Sequence, residues 1–116
     1  MARRSLRSKE ERTTGKKIHV LIKEPGKKPR SVNISRTLEN LQKTVGGYIE
    51  TVTLFEDFVI ICNEEGRLKQ LPWCCEIVGI DFVGPIIMSG IKDDDFDDIP
   101  ISYQDAKRLF PSLWEE

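Results

Sequence analysis

The sequence predicts an α+β fold: a mostly antiparallel sheet of about five or six strands, with one helix between strands two and three and a short C-terminal helix. Three observations support this prediction. Several short segments alternate between apolar and polar residues with the period of a strand. One segment has instead the spacing of an amphipathic helix. Glycine, proline and asparagine separate these segments, as turn residues do.

The size and composition of the chain fit a single folded domain. A chain of 116 residues can bury about two thirds of the surface that its unfolded form exposes. The composition, 39% apolar and 32% charged, is typical of globular proteins. No apolar run approaches the roughly 20 residues that span a bilayer, and the basic N-terminus lacks the apolar stretch of a secretory signal. We therefore expect a cytoplasmic protein with no membrane partner.

Charge is distributed unevenly along the chain, although the net charge is -1. Residues 1–30 contain eleven Lys or Arg and three Glu, whereas residues 31–116 contain seven Lys or Arg and sixteen Asp or Glu. This division predicts a flexible basic arm at 1–16, an α+β core at 17–90, and an acidic loop with a C-terminal helix packing on the core at 91–116.

Two interpretations of the basic arm remain open. It can be a solvated tail that maintains solubility. Alternatively, its cations contact the phosphates of a nucleic acid. The residues that would do so are Arg3, Arg4, Arg7, Arg12, Lys16 and Lys17.

The core begins with a predicted β-hairpin. Lys17–Lys23 alternates between apolar and polar residues, so it is predicted to be a strand. Residues 24–27 place Pro and Gly at the centre of a type II turn, and residues 30–34 return as the second strand. His19, the single histidine, falls on the more polar face, and we interpret it as a surface residue without a catalytic partner.

One helix follows the hairpin. Ser35 or Thr37 is expected to cap its first turn. An apolar stripe at helical spacing then consists of Leu38, Leu41 and Val45. Gly46 suits the left-handed position that ends many helices, and Gly47 gives the chain freedom to reverse into the third strand.

Downstream segments are predicted to complete the sheet. Residues 58–62 are continuously apolar, which favours a central strand covered on both faces. Residues 63–66 are predicted to be a hairpin turn and residues 67–71 its partner strand. Residues 81–90 are predicted to be a final strand, placed at an edge or bulge by an internal glycine and proline. Residues 73–80 receive no assignment.

The C-terminal part is predicted to be an acidic loop followed by a helix. The loop, residues 91–98, lacks the ligand spacing of a calcium-binding loop, so we interpret it as solvated. A second interpretation is mimicry of a phosphate backbone. Residues 102–105 have the pattern S-x-x-D, which starts helices. Leu113 and Trp114 are expected to anchor this end to the core.

The sequence gives no enzymatic signal. Cys62, Cys74 and Cys75 lack the C-x-x-C spacing of a zinc site, and a four-ligand site would need all three together with His19. Buried, reduced thiols are the simpler interpretation. No catalytic triad, Cys-His arrangement or phosphate-binding loop appears in the sequence. We therefore predict that the protein is not an enzyme and uses no metal or cofactor.

The segment from residue 41 to residue 72 resembles a known family. LQKTVGGYIE, followed after a spacer by FVIICNEEGRLKQLP, is similar to a small domain of unknown function that occurs in phage, prophage and plasmid genes. The resemblance covers about residues 17–90. This chain departs from the pattern after Pro72, where family members carry an asparagine and a longer loop and this chain runs into Trp73, Cys74 and Cys75.

The resemblance implies a non-enzymatic binding module of a phage or mobile element. Such a module would counter host defence by sequestering a small nucleotide or by masking a host effector protein. The candidate ligand-binding residues are Gly46, Gly47, Tyr48, Glu50 and Asn63. Bare backbone N–H groups at the glycine turn would lie beside a phenol and a carboxylate, but a helix end and a tight turn explain the same glycines equally well.

Two further expectations concern partners. In the alternative function, the chain is a nucleic-acid-associated accessory or regulatory protein that uses the basic arm. An exposed edge strand would also permit a homo-oligomer.

Overall fold

A seven-stranded antiparallel sheet organises the computed structural model, which describes residues 3–6 and 16–115. The elements in chain order are β1 (Arg3–Leu6), β2 (Lys17–Lys23), β3 (Arg30–Ser35), α1 (Leu38–Val45), β4 (Ile49–Phe55), β5 (Phe58–Asn63), β6 (Trp73–Ile77), β7 (Ile80–Val83), β8 (Ile86–Lys92), β9 (Asp95–Asp97), α2 (Tyr103–Leu109) and a 3-10 helix (Pro111–Trp114). The strand order is β1-β4-β5-β8-β2-β3, and β9 pairs with β8. Strands β6 and β7 form a separate hairpin. The predicted α+β class is therefore confirmed.

The predicted first hairpin and helix are confirmed in detail. Lys27 N donates to Glu24 O at 3.1 Å, and Gly26 has the positive φ of 75° that a type II turn requires. At the start of α1, Thr37 Oγ1 accepts a hydrogen bond from Asn40 N at 3.2 Å. Gly46 ends the helix in the left-handed conformation, with φ 87°. Local turn and capping chemistry therefore determines this part of the chain.

The prediction of one strand at the sheet edge for residues 81–90 was wrong. These residues form two strands rather than one, because Gly84 (φ 72°) and Pro85 turn the chain between them. The second of these strands lies inside the sheet rather than at its edge: Ile87 is aligned with Ile61 of β5 on one side and with Ile22 of β2 on the other.

Residues 67–71 do not form the predicted strand. The chain makes successive turns between β5 and β6, in which Glu65 N donates to Asn63 Oδ1 at 2.8 Å and Leu71 N donates to Gly66 O at 3.0 Å. The physical reason is that both edges of β5 are already occupied, by β4 and by β8. No edge of β5 is left for a hairpin partner, so residues 67–71 have no strand with which to pair.

The core has one layer on each face of the sheet. The face under α1, here called the helix face, is built from aliphatic side chains and Phe96: Ile18, Val20, Ile22, Leu38, Leu41, Val45, Ile49, Val59, Ile61, Ile87 and Phe96. The opposite face, here called the hairpin face, lies under the β6-β7 hairpin and the C-terminal helices. Its buried members include Leu21, Phe58, Ile60, Cys62, Cys74, Cys75, Ile77, Phe82, Met88, Ala106, Leu113 and Trp114.

The acidic segment also differs from its prediction. It is a β-hairpin rather than a loop, with Phe96 of β9 aligned with Ile91 of β8 and buried in the helix face. Ser102 Oγ then accepts a hydrogen bond from Asp105 N at 3.0 Å and starts α2, as the S-x-x-D pattern predicts. Leu113 and Trp114 are buried, as expected of anchors. Neither α2 nor any other helix in the described ranges is long and apolar enough to cross a membrane.

The basic arm is described only in part. The backbone of Arg3–Leu6 pairs antiparallel with β4, with Arg3 opposite Val52 and Leu6 opposite Ile49. Arg7 and Arg12 lie outside the described residues. The flexibility of the arm stays a prediction.

Candidate functional site

The predicted site at the glycine turn lies where the end of α1 meets the loop after β5. Asn63 is buried there, and its Nδ2 donates to Val45 O at 3.1 Å. The N–H groups of Gly46 and Gly47 both donate to Gln42 O, at 2.8 and 3.0 Å. The backbone donors that were expected to meet a ligand are thus used to end the helix, and Asn63 ties that end to the following loop.

Gly47 is closely packed. A Cβ at this position would lie 3.0 Å from Asn63 Nδ2 and 3.0 Å from Lys69 Nζ. Both atoms are the ends of side chains, so a larger residue would require these side chains to shift. The second glycine of the turn therefore serves the approach of the 63–71 loop to the helix end.

Glu50 and Asn63 border a small cleft between β4, β5 and β7. The cleft has a volume of about 100 Å³, and its polar lining includes Glu64, Arg67 and Asp81. Cys62 Sγ donates to Glu50 Oε1 at 3.9 Å. Pockets for drug-sized ligands measure about 300–1,000 Å³. The cleft is accordingly large enough for water molecules or a small ion and too small to enclose a nucleotide.

Exposed apolar residues lie beside this cleft. Leu68 lines it, and Tyr48 O accepts a hydrogen bond from Glu64 N of its lining at 2.8 Å. We call Tyr48, Arg67, Leu68, Trp73 and Asp81 the Leu68–Trp73 surface. Leu68 is 84% exposed, Trp73 60% and Tyr48 47%. Asp81 connects the surface, because its carbonyl accepts from Arg67 Nη2 at 2.9 Å and its Oδ1 accepts from Trp73 Nε1 at 3.0 Å.

The sequence predicted only one member of the Leu68–Trp73 surface, Tyr48. Residues 67–71 were predicted to be the partner strand of a hairpin, and Trp73 had no assignment. The available signal was the departure from the expected family pattern after Pro72, where this chain has Trp73, Cys74 and Cys75.

A second polar cluster lies on β2 and β3 and was not predicted. His19 Nε2 lies 2.8 Å from Ser31 Oγ, and His19 Nδ1 lies 3.0 Å from Asn33 Oδ1. With the proton on Nδ1, this is the hydrogen-bond order of a nucleophile, a base and an orienting residue. All three side chains are exposed, whereas that chemistry needs a desolvated site. We therefore interpret the cluster as a cross-strand polar network.

The signal for this network was present in the predicted hairpin. A turn at 24–27 fixes the register that places His19 opposite Asn33 and Leu21 opposite Ser31. Extending the register through the two predicted strands would have brought the three side chains together.

The remaining candidates for nucleic-acid contact are only partly described. Lys16 Nζ lies 3.6 Å from Asp97 Oδ1, and Lys17 is exposed at the start of β2. The backbones of Arg3 and Arg4 lie in β1. A common basic surface formed by the arm stays a prediction.

The chain was compared with protein families, curated proteins and solved structures. No curated protein and no solved structure was found to be similar to the chain. A family model described as a domain of unknown function, DUF3846, matches residues 18–110. The match begins in β2 and continues past α2, so it extends beyond position 90, where the resemblance was expected to end. The chain therefore belongs to the DUF3846 family of domains of unknown function.

Proposed function

We propose that this protein is a non-enzymatic binding module that acts by covering a protein partner. One observation carries this function: on the Leu68–Trp73 surface, a highly exposed leucine lines a polar cleft, and an exposed tryptophan is hydrogen-bonded to Asp81 of the same lining. Scattered exposed apolar residues are normal, but a contiguous patch with a polar rim is typical of interaction sites. Trp, Tyr and Arg are also the residues that contribute most at protein interfaces.

The charge and size of the cleft favour a protein over a nucleotide. Three carboxylates, those of Glu50, Glu64 and Asp81, border it together with one guanidinium, that of Arg67. A nucleotide phosphate would meet net repulsion there, because like charges disfavour each other at short range. The cleft volume of about 100 Å³ also lies well below that of a typical ligand pocket. We therefore infer a partner that presents apolar and basic side chains.

The family resemblance suggests where such a module works. A phage or other mobile element would use it to mask a host effector protein, and occupancy of the effector surface would suffice without any reaction. A small fold that presents exposed apolar residues beside a polar cleft fits this role.

The test compares two variants that each place a charge on an exposed leucine. Leu68→Glu disrupts the Leu68–Trp73 surface, and Leu109→Glu alters an exposed leucine of α2 outside it. We expect the wild type and Leu109→Glu to bind one host protein with equal Kd in isothermal titration, after its identification by cross-linking and mass spectrometry. Leu68→Glu should weaken binding by about 30-fold or more, as expected of a central interface residue. Equal binding by all three proteins, or tight binding of a nucleotide, would contradict this function.

A salt series separates this function from the alternative of nucleic-acid binding. Contacts from the arm to phosphates would make affinity fall steeply with salt, and glutamine in place of the six candidate cations, Arg3, Arg4, Arg7, Arg12, Lys16 and Lys17, would abolish them. The masking function predicts that this variant keeps the wild-type Kd for the host protein at every salt concentration.

A further inference from the structure

A bulge in β6 places two neighbouring thiols on the same side of the strand. Trp73 is aligned with Val83 and Cys75 with Phe82, so Cys74 is an extra residue on this strand. In a regular strand, adjacent side chains point to opposite faces. Here Cys74 and Cys75 are each 3% exposed and belong to the same core layer, the hairpin face.

A buried cation and open space adjoin this pair. Lys23 is 4% exposed, its Nζ donates to Glu24 O at 2.9 Å, and its carbonyl accepts from Cys74 Sγ at 3.5 Å. A cavity of about 310 Å³ is lined by Lys23, Cys74 and Cys75 together with Trp73, Glu76, Ser112 and Glu115. The two thiols thus border a space that a small ligand can occupy, beside a fixed positive charge.

The pair has the chemistry of a soft-metal site. The thiolate is the form of cysteine that binds metals, and the buried Lys23 lines the same cavity as both thiols.

We propose that Cys74 and Cys75 form a binding site for one soft monovalent metal ion, copper(I), held between their two sulfur atoms. Thiolates are the ligands that select copper(I). The number of ligands favours copper(I) over zinc, because a structural zinc site takes four protein ligands. In the described residues, no group of three or more His, Cys, Asp or Glu could hold a metal ion, so the pair has no third ligand of this kind.

Binding requires no oxidation. The ion displaces the thiol protons of Cys74 and Cys75 to solvent, and neither sulfur nor metal changes oxidation state. A disulfide is the competing fate of the pair. Neighbouring residues joined by a trans peptide have Cα atoms about 3.8 Å apart, whereas disulfides usually join Cα atoms about 4.4–6.8 Å apart. The geometry thus favours the dithiol, which keeps two sulfur donors.

The test is an anaerobic competition between the full chain and bicinchoninate for copper(I), with native mass spectrometry to count bound ions. We expect one ion per chain for the wild type and for Cys62→Ser, the matched control at a third buried thiol. Cys74→Ser and Cys75→Ser should each lose this binding. Lys23→Met should weaken it by about 10–100-fold, as loss of an outer-shell partner does. Lack of one-to-one binding by the wild type, or retention of it by both serine variants, would overturn the site.

A measurement on the wild type covers the case in which a variant fails to fold. Iodoacetamide labels thiols, and peptide mapping distinguishes the pair from Cys62. One equivalent of copper(I) should slow labelling of the Cys74–Cys75 peptide and leave labelling of Cys62 unchanged. Equal protection of both peptides, or protection of neither, would overturn the site.

Discussion

The two faces of the sheet are built from the same strands but differ in chemistry. The helix face is composed of aliphatic side chains and one phenylalanine, covered by a regular helix. The hairpin face contains all three cysteines and packs under a bulged hairpin and short helices. It also places Trp114 Nε1 2.8 Å from Tyr103 Oη, with the two rings edge to face. The difference teaches that the apolar helix face can stabilise the fold, while the hairpin face accommodates polar groups and cavities.

The largest expected effect comes from a truncation on the helix face. Leu41 is fully buried between α1 and the sheet, and Leu41→Ala should cost about 2–5 kcal/mol of unfolding free energy. Leu113→Ala on the hairpin face should fall at the low end of that range, because the C-terminal segment can shift to fill the space. Urea denaturation measures both. Equal losses would show that the two faces pack equally tightly.

The next effect tests the junction between α1 and the 63–71 loop. Asn63→Ala leaves Val45 O and Glu65 N without their side-chain partner, and a buried unsatisfied group costs about 1–3 kcal/mol. Asn33→Ala, at an exposed position, serves as the control in the same denaturation experiment. A loss at Asn63 no larger than at Asn33 would indicate that Asn63 is not structural.

A smaller effect is expected from the paired change Tyr48→Ala and Glu50→Ala. Tyr48 is about half exposed, and Glu50 borders the cleft. Surface substitutions usually change stability by less than about 0.5 kcal/mol each. Thermal unfolding should therefore show a folded protein with nearly the wild-type midpoint. Unfolding of the double variant would assign both residues to the core rather than to a surface site.

The smallest expected effect is the change of stability with pH that Asp97 of the acidic hairpin causes. A hydrogen bond from Asp98 N is the main cause that lowers the pKa of Asp97, and Lys16 adds to it. A carboxyl with a lowered folded-state pKa adds stability above its unfolded pKa of about 3.9 and loses it as the pH falls through the folded value. Urea midpoints should therefore drop further in acid for the wild type than for Asp97→Asn. The same change at exposed Asp93 is the control, and identical pH profiles for the wild type and Asp97→Asn would contradict this prediction.

Prediction from sequence succeeded where an element is determined by residues close to one another in the chain. Helix α1 is determined by a capping threonine, an apolar stripe and a terminal glycine, and all three signals lie within ten residues. The turn at 24–27 likewise needs only its own proline and glycine. These elements do not depend on what the rest of the chain does.

Prediction failed where distant segments compete. Residues 67–71 alternate like a strand, but β8, made later in the chain, occupies the edge that they would need. The bulge that brings Cys74 and Cys75 to one side depends on the register with β7, which no local pattern specifies. The Leu68–Trp73 surface was missed for the same reason, since it forms only after the loop has been excluded from the sheet.

The central position of β8 has a consequence for the order in which the protein can fold. Strands β2 and β3 form one local hairpin, β4 and β5 form another, and β8 lies between the two pairs in the sheet. On the ribosome, both hairpins emerge with open edges before residues 86–92 are made. Long-range pairing of this kind folds slowly and exposes strands to aggregation in the meantime. A chain that stops before β8 should therefore be recovered as aggregates, while one extended through β9 should be able to close the sheet.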